Sequence, residues 1–150
     1  MSSNFSRRRT NGGVAALRER VRTPGTVDVG IIDAGKHDSG DKTVAEIGFF
    51  NEFGTERIHE RSFMRSTIRS KKREIIKLQK KLLKKISRGN IRVDEALGVL
   101  GEIMADEIRK KIVSLKLPEN SPITVIRKGS SNPLIDTGQL KNSITYEVNR

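Results

Sequence analysis

The sequence has no cysteine, no tryptophan, one tyrosine and four prolines among its 150 residues. The absence of cysteine excludes disulfide bonds and thiolate metal sites. No apolar run approaches the roughly 18 residues of a membrane-spanning helix, and residues 1–13 lack the apolar stretch of a signal peptide. We therefore expect a soluble protein that is made in the cytosol, and its length fits a single domain.

Apolar residues are sparse as well. Hydrophobic residues make up 34% of the chain and charged residues 32%, so the core is expected to be lean. Four of the five phenylalanines lie within a stretch of fifteen residues, at Phe49, Phe50, Phe53 and Phe63. We interpret this cluster as the centre of the core.

Acidic residues are fewer than basic ones, and the formal net charge is +12. Residues 1–22 hold six arginines against one glutamate, which gives +5, and residues 62–88 hold eleven bases against Glu74, which gives +10. The remaining residues therefore sum to −3. This asymmetry indicates a polyanion or an acidic protein as a partner.

The N-terminal segment is predicted to be a basic arm. Its first ten or so residues contain serine, asparagine and three consecutive arginines, and such a composition is typical of disorder. The following GGVAALRERVR predicts a short helix that ends before Pro24. We place a partly disordered arm at residues 1–22 and one domain at residues 23–150.

Three segments have the pattern of strands. TVDVGII at residues 26–32 alternates apolar and polar positions, and TVAEIGFFNEF at residues 43–53 is interpreted as a second strand. The polar, glycine-rich residues between them predict the turn of a long-looped hairpin. Near the C-terminus, Ile144, Tyr146 and Val148 alternate with polar residues and predict a final strand.

A long amphipathic helix is predicted from Ser62, as its N-cap, to a stop at Gly89. Its apolar stripe comprises Met64, Ile68, Ile75, Leu78, Leu82 and Ile86. Its opposite, basic face comprises Arg69, Arg73, Lys77, Lys80, Lys84 and Arg88.

A second helix is predicted over residues 94–115, with apolar residues at steps of three and four. Gly98 and Gly101 each cost about 1 kcal/mol relative to alanine there, so we expect close packing of this helix on another helix at these glycines. Residues 117–133 are expected to be a loop with an extended piece at 123–126. The predicted fold is α+β, with two main helices packed on a small antiparallel or mixed sheet made of the hairpin and the C-terminal strand.

The tripeptide Asp136-Thr137-Gly138 follows two apolar residues, as in the catalytic loop of aspartic proteases. That mechanism requires two aspartates in a dry cleft under a flap. Only twelve residues follow Gly138, too few to build the flap and the cleft. A capping box from Asp136 to Gln139, with a hydrophobic staple of Ile135 and Leu140, explains the same residues, and we expect a helix start.

Other site motifs are near misses. Residues 30–37 almost match a phosphate-binding loop, but the last position is His37, which has no hydroxyl for magnesium, and a strand is expected to follow. His37 and His59 are interpreted as exposed loop residues. Three aspartates lack calcium-loop spacing, namely Asp33, Asp38 and Asp41. We therefore predict no catalytic residues, no bound metal and no cofactor.

The basic helix is the strongest physical signal in the chain. Like charges at i and i+4 repel each other, so a face with one acid among eleven bases costs helix stability unless a partner compensates it. Candidate partners are DNA phosphates, an acidic neighbouring subunit and an anionic membrane surface. Because no recognition-helix or zinc-finger pattern is present, any DNA contact is expected to be independent of sequence.

An ordered set of motifs lies at residues 49–68, 95–104 and 117–148. Together these motifs resemble the tail-completion, or neck, proteins of tailed bacteriophages. FFNEFGTERIHERSFMRSTI at residues 49–68 is similar to the family's Glu-Phe-Gly-Thr and Arg-x-Phe-Met-Arg pattern. EALGVLGEIM and LPENSPITVIRKGSSNPLIDTGQLKNSITYEV, at residues 95–104 and 117–148, are similar to its second half. The residues that carry the motifs are Glu52, Phe53, Gly54, Thr55, Arg61, Phe63, Asp136, Thr137, Gly138 and Leu140. The family usually has proline where His59 stands and often where Ser62 stands.

The resemblance implies a small α+β subunit without catalytic activity that assembles into a ring, expected to be hexameric, between phage head and tail. The ring would surround the DNA channel and contact connector and tail proteins, with no membrane partner. Such a protein would reside in the virion, and in the host cytoplasm during assembly. The basic face would line the lumen or meet an acidic neighbour. A tail terminator ring is the alternative within virion proteins, and a nonspecific DNA-binding protein is the alternative from another class.

Overall fold

A computed structural model describes residues 12–22, 25–32, 35–38, 40–129 and 131–149. The predicted disorder of the first ten residues lies outside these ranges. The elements in chain order are α1 (Gly12–Val21), β1 (Thr26–Ile31), α2 (Val44–Phe53), α3 (Met64–Ser87), α4 (Val93–Ser114), α5 (Pro122–Lys128), α6 (Gln139–Asn142) and β2 (Ile144–Asn149).

The α+β class is confirmed. β1 and β2 pair antiparallel, with Val27 opposite Val148 and Val29 opposite Tyr146, so the first and last strands of the chain are neighbours. α4 packs across this two-stranded sheet, and α3 packs on α4. The predictions of the short N-terminal helix, both long helices and the C-terminal strand are confirmed as well.

The predicted second strand at residues 43–53 is wrong, because residues 44–53 form the helix α2. Thr43 and Glu46 make a capping box: the Thr43 hydroxyl accepts from the Glu46 amide at 3.2 Å, and the Glu46 carboxylate accepts from the Thr43 amide at 2.7 Å. The buried positions are Val44, Gly48 and Glu52, at the spacing of four that one helix face requires. The antiparallel partner of β1 is therefore β2.

The aromatic cluster is not the centre of the core. Phe63 is fully buried, but Phe49 is 60% exposed and Phe53 49% exposed, because α2 buries its opposite face. One core cluster lies where α4 meets α2, α6 and β2, and consists of Val44, Phe63, Ala105, Ile108, Ile112, Leu134, Leu140 and Ile144. A second lies between α3 and α4 and consists of Leu82, Ile86, Ala96, Leu100 and Met104.

The apolar stripe of α3 packs on α4 largely as predicted, with Leu82 and Ile86 buried. Ile68 is the exception, since it is 52% exposed. The predicted extended piece at residues 123–126 is also wrong, because these residues lie in α5, which Ser121 caps by accepting from the Thr124 amide at 3.3 Å. No helix among the described residues is long and apolar enough to cross a membrane.

The two glycines of α4 differ in their surroundings, and this yields a matched pair of variants. A Cβ on Gly101 would lie 2.5 Å from Cδ2 of Tyr146 and 2.8 Å from Cγ2 of Val27, whereas a Cβ on Gly98 would be 3.8 Å from the Tyr146 hydroxyl. We expect Gly101→Ala to lower the free energy of unfolding by about 1–3 kcal/mol through overpacking. Gly98→Ala should raise it by up to about 1 kcal/mol through helix propensity. Urea unfolding of both variants checks this, and equal effects of the two would contradict it.

Candidate functional site

The turn between α2 and α3 is built around the carboxylate of Glu52, which is only 4% exposed. This carboxylate accepts hydrogen bonds from the backbone amides of Phe63, Met64 and Arg65 at 2.7–2.9 Å. It also accepts from the Ser62 hydroxyl at 2.8 Å. The free amides at the start of α3 are thus satisfied by a negative charge, which also interacts favourably with the helix dipole. The N-cap residue of α3 is Phe63, so the predicted N-cap at Ser62 is wrong by one residue, although the Ser62 hydroxyl accepts from the Ser66 amide at 3.2 Å.

Glu52 is held in its ionised form. Burial raises the pKa of a carboxyl, but the hydrogen bonds from Met64, Arg65, Ser62 and Phe63 together outweigh burial, so the pKa of Glu52 lies below its ordinary value. The Arg65 guanidinium adds an ion pair at 3.0 Å. Sequence reasoning selected Glu52 by resemblance but did not select its partner Arg65, although Arg65 is the last residue of the Arg-x-Phe-Met-Arg pattern.

Gly54 and Thr55 close the turn that follows α2. Gly54 has a φ of +76°, and a Cβ there would lie 3.0 Å from the Glu60 amide nitrogen, so a side chain would be both strained and crowded. The Thr55 hydroxyl accepts from the amides of Arg57 and Ile58 at 3.2 and 3.0 Å. These residues therefore determine how the chain returns from α2 towards α3.

Arg61 ties this corner to the segment after α4. The side chain is buried, its Nε donates to the Pro118 carbonyl at 2.7 Å, and one terminal nitrogen donates to the Glu119 carbonyl at 2.9 Å. Burial lowers the pKa of Arg61 from its ordinary value. Together with Glu52, Arg61 joins three chain segments into one corner, at which fully buried Phe63 lies.

Phe53 lies on the surface of the same corner. The Arg65 guanidinium carbon lies 4.3 Å from the centre of the Phe53 ring, a cation–π arrangement, and the ring of Phe49 is 4.7 Å away. The same guanidinium pairs with Glu60 at 2.8 Å. Two exposed aromatic rings are thereby held in place on the outer side of α2.

The Asp136-Thr137-Gly138 segment starts a helix, but without the predicted capping box. Gly138, with a φ of +82°, is the N-cap of α6, and Thr137 accepts from the Gln139 amide at 3.3 Å, so the Asp136 cap is wrong. The Gln139 side chain instead donates to the Lys36 carbonyl at 3.1 Å and accepts from the Asp38 amide at 3.0 Å. Its role is to join α6 to the loop after β1, and Leu140 is buried beneath it.

A cleft between α2 and this segment is lined by residues 133, 134 and 136–140 together with His37, Ile47 and Asn51. Asp136 is the one carboxylate in that lining, whereas the protease mechanism requires two. His37 is buried, so its interpretation as an exposed residue is wrong, while His59 is exposed as expected. Among the residues that the structure describes, no group of three potential ligands is placed to hold a metal ion.

The predicted basic face of α3 is fully on the surface. All six residues are exposed, and none of them forms an ion pair with any described residue. Lys71 differs, because it faces α4 and pairs with Glu74 and Glu107 at 3.1 Å, contacts that raise its pKa. α3 therefore presents a long row of positive charge that no described residue compensates with an ion pair.

No protein-family model, curated protein or solved structure matches the chain.

Proposed function

We propose that the protein is a structural subunit of the head–tail neck of a tailed phage, where copies form a ring around the DNA channel and complete the tail for joining. The observation that carries this proposal is the uncompensated basic row of α3, held at a defined angle by the Glu52 corner. The Glu-Phe-Gly-Thr motif and Arg61, on which the resemblance depends, meet at that same corner.

A ring subunit has to present rigid surfaces at defined angles, because small angular errors accumulate around a closed ring. α3 has 24 residues, about 36 Å at 1.5 Å per residue, and it packs on α4 and less extensively on α1. Its N-terminus is anchored by a buried charge and five hydrogen bonds from Ser62, Phe63, Met64 and Arg65. The helix therefore holds its cationic, outward side in a fixed orientation relative to the rest of the subunit.

That cationic side suits either DNA in the lumen or an acidic neighbour. A lumen that binds DNA strongly would oppose passage of the genome. The proposal therefore includes contact with an acidic neighbouring subunit beside contact with DNA. A tail terminator ring has the same physical requirements. The net charge of +12 favours a nonspecific DNA-binding protein as the second candidate function.

Deletion of the gene, followed by electron microscopy of the particles, tests the neck function. We expect separate filled heads and finished tails, and complementation should restore joined particles that carry the protein at the neck. Normal joined particles in its absence would contradict the proposal. A protein that stays monomeric at every salt concentration and binds DNA tightly at low salt would favour the second candidate.

A further inference from the structure

α3 has a second exposed stripe beside its basic face, and this stripe is apolar. Ile68 is 52% exposed, Ile76 40% and Leu83 58%. Their separations of eight and seven residues bring all three to one side of the helix, about 90° away from the face that packs on α4. We call these three residues the apolar flank of α3.

The flank is part of a longer apolar band. Ile68 and Ile76 line a shallow groove with Ile75 and with the side chains of Arg65, Arg69 and Lys72. Arg65 also lies over the Phe53 ring, and Phe53 contacts Phe49. The band therefore runs from the exposed rings of α2 along α3 and includes cationic groups, because Lys72 lies between Ile68 and Ile76 on the same side of the helix. Interfaces between proteins are enriched in aromatic residues and arginine, so such a surface is typical of protein contacts.

A complementary surface lies on α4 of the same chain. Opposite its buried side, α4 exposes Val99 (45%), Ile103 (42%) and Val113 (46%). Three acids on the same side are Glu95, Glu102 and Asp106. Glu102 pairs with Arg109 at 3.2 Å and Asp106 with Lys110 at 2.7 Å, so two of these three acids already form ion pairs within the chain. We call this the outward face of α4.

We propose that the apolar flank of α3 in one copy packs against the outward face of α4 in the next copy. The apolar positions span 16 residues on α3 and 15 on α4, and their ends are about 22 and 21 Å apart. The bases within and beside the flank, Arg65, Arg69 and Lys72, meet acids on the partner instead of the bases of another α3, which favours this pairing over contact between two α3 helices. Within one chain the surfaces cannot meet, because α3 and α4 pack through other faces.

A contact between two different patches is heterologous, and repeated with closure it generates a ring. The inference therefore rests on the proposed ring function, and it identifies the subunit interface. DNA does not fit the flank, because phosphates have no apolar group to offer Ile68, Ile76 or Leu83. A second copy is favoured over a foreign protein since this chain itself carries the matching acidic, apolar face.

Cysteine cross-linking tests the interface, since the chain has no cysteine of its own. Flank variants carry cysteine at position 68, 76 or 83, and face variants at position 99, 103 or 113. Purified variants are mixed in all nine pairs, oxidised and separated on non-reducing gels. We expect disulfide-linked dimers for at least one flank–face pair, and a ladder of oligomers when one chain carries both cysteines. Flank variants mixed with Glu147→Cys, which is exposed on β2, are the matched control and should remain monomeric.

The outcomes separate the interface from the neck function when the double variant is also incorporated into virus particles. Particles that contain the protein at the neck but give no ladder would overturn the interface and leave the function intact. A ladder in purified protein that is absent from the neck would support the interface and contradict the function. A higher yield of disulfide-linked dimers from two flank variants than from flank–face pairs would also overturn the heterologous contact.

Discussion

Replacing Glu52 by alanine is expected to lower the free energy of unfolding by about 2–4 kcal/mol, because hydrogen bonds to a charged group contribute about 1.5–3 kcal/mol and a lost helix cap costs about 1 kcal/mol. The variant loses the acceptor for three backbone amides at the start of α3 and for the Ser62 hydroxyl. It also leaves the Arg65 guanidinium without its nearly buried partner. Urea unfolding measured by circular dichroism gives the difference.

Two further variants separate the contribution of charge from that of general substitution. Glu52→Gln retains one carbonyl acceptor but loses the charge, so we expect a smaller loss than for alanine. Glu56→Ala removes an exposed carboxylate from the same turn and should change stability by no more than about 0.5 kcal/mol. If Glu52→Ala loses no more unfolding free energy than Glu56→Ala, the turn between α2 and α3 does not depend on the buried carboxylate.

We also expect Glu52 to make the free energy of unfolding depend on pH. The pKa of Glu52 is lower in the folded chain than its ordinary value near 4.5, so folding favours the ionised form. The stabilisation is therefore present above the unfolded pKa and is lost as the pH falls through the folded pKa. The gap in unfolding free energy between wild type and Glu52→Gln should narrow once the pH drops below about 4.5. A gap that stays constant into strong acid would contradict this.

Long periodic elements could be predicted from the sequence, whereas α2 could not. Over 24 residues of α3 and 22 of α4, the apolar period of the helix is unambiguous. In α2 the buried positions are Val44, Gly48 and Glu52, two of which carry no hydrophobic signal. The alternation of apolar residues therefore favoured a strand. The Thr43–Glu46 capping box was the available sign of a helix.

The residues of the candidate site could be selected from the sequence, but their contacts could not be predicted. Glu52 and Arg61 stand out only by resemblance, since neither composition nor period shows that a charged residue will be buried. Their burial follows from partners far along the chain, such as the Pro118 carbonyl. The cap at Gly138 escaped prediction because Asp136 is a good N-cap residue, and the choice of cap depends on a backbone φ of +82°. The apolar flank was hidden because Ile68 was assigned to the core.

Changing Lys77, Lys80 and Lys84 together to glutamate is expected to block assembly while leaving the fold intact. Each replacement changes the charge by −2, so the formal net charge falls from +12 to +6. All three side chains are exposed and lie on the basic face rather than on the apolar flank. Thermal unfolding should therefore change little, as for surface substitutions in general. The yield of infectious particles, measured by plaque assay, should fall steeply.

The control for this triple variant changes Lys36, Arg57 and Lys116 to glutamate, which gives the same net charge from exposed positions outside α3. If only total charge matters, both variants fail equally, and the prediction is contradicted. If the basic row of α3 contacts an acidic neighbour, only the α3 variant loses the ring by native mass spectrometry.

DNA contact would give a different result from contact with an acidic neighbour. In that case the α3 variant keeps the ring, but the salt dependence of its DNA affinity weakens by about 2.7 in log–log slope for three lost phosphate contacts. The two outcomes are thus distinguished by which property is lost, the ring or the salt slope. If the α3 variant gives normal particles, forms the ring and has an unchanged salt dependence of DNA affinity, the basic row of α3 is solvated surface. The repulsion among its bases would then be a cost without a compensating contact.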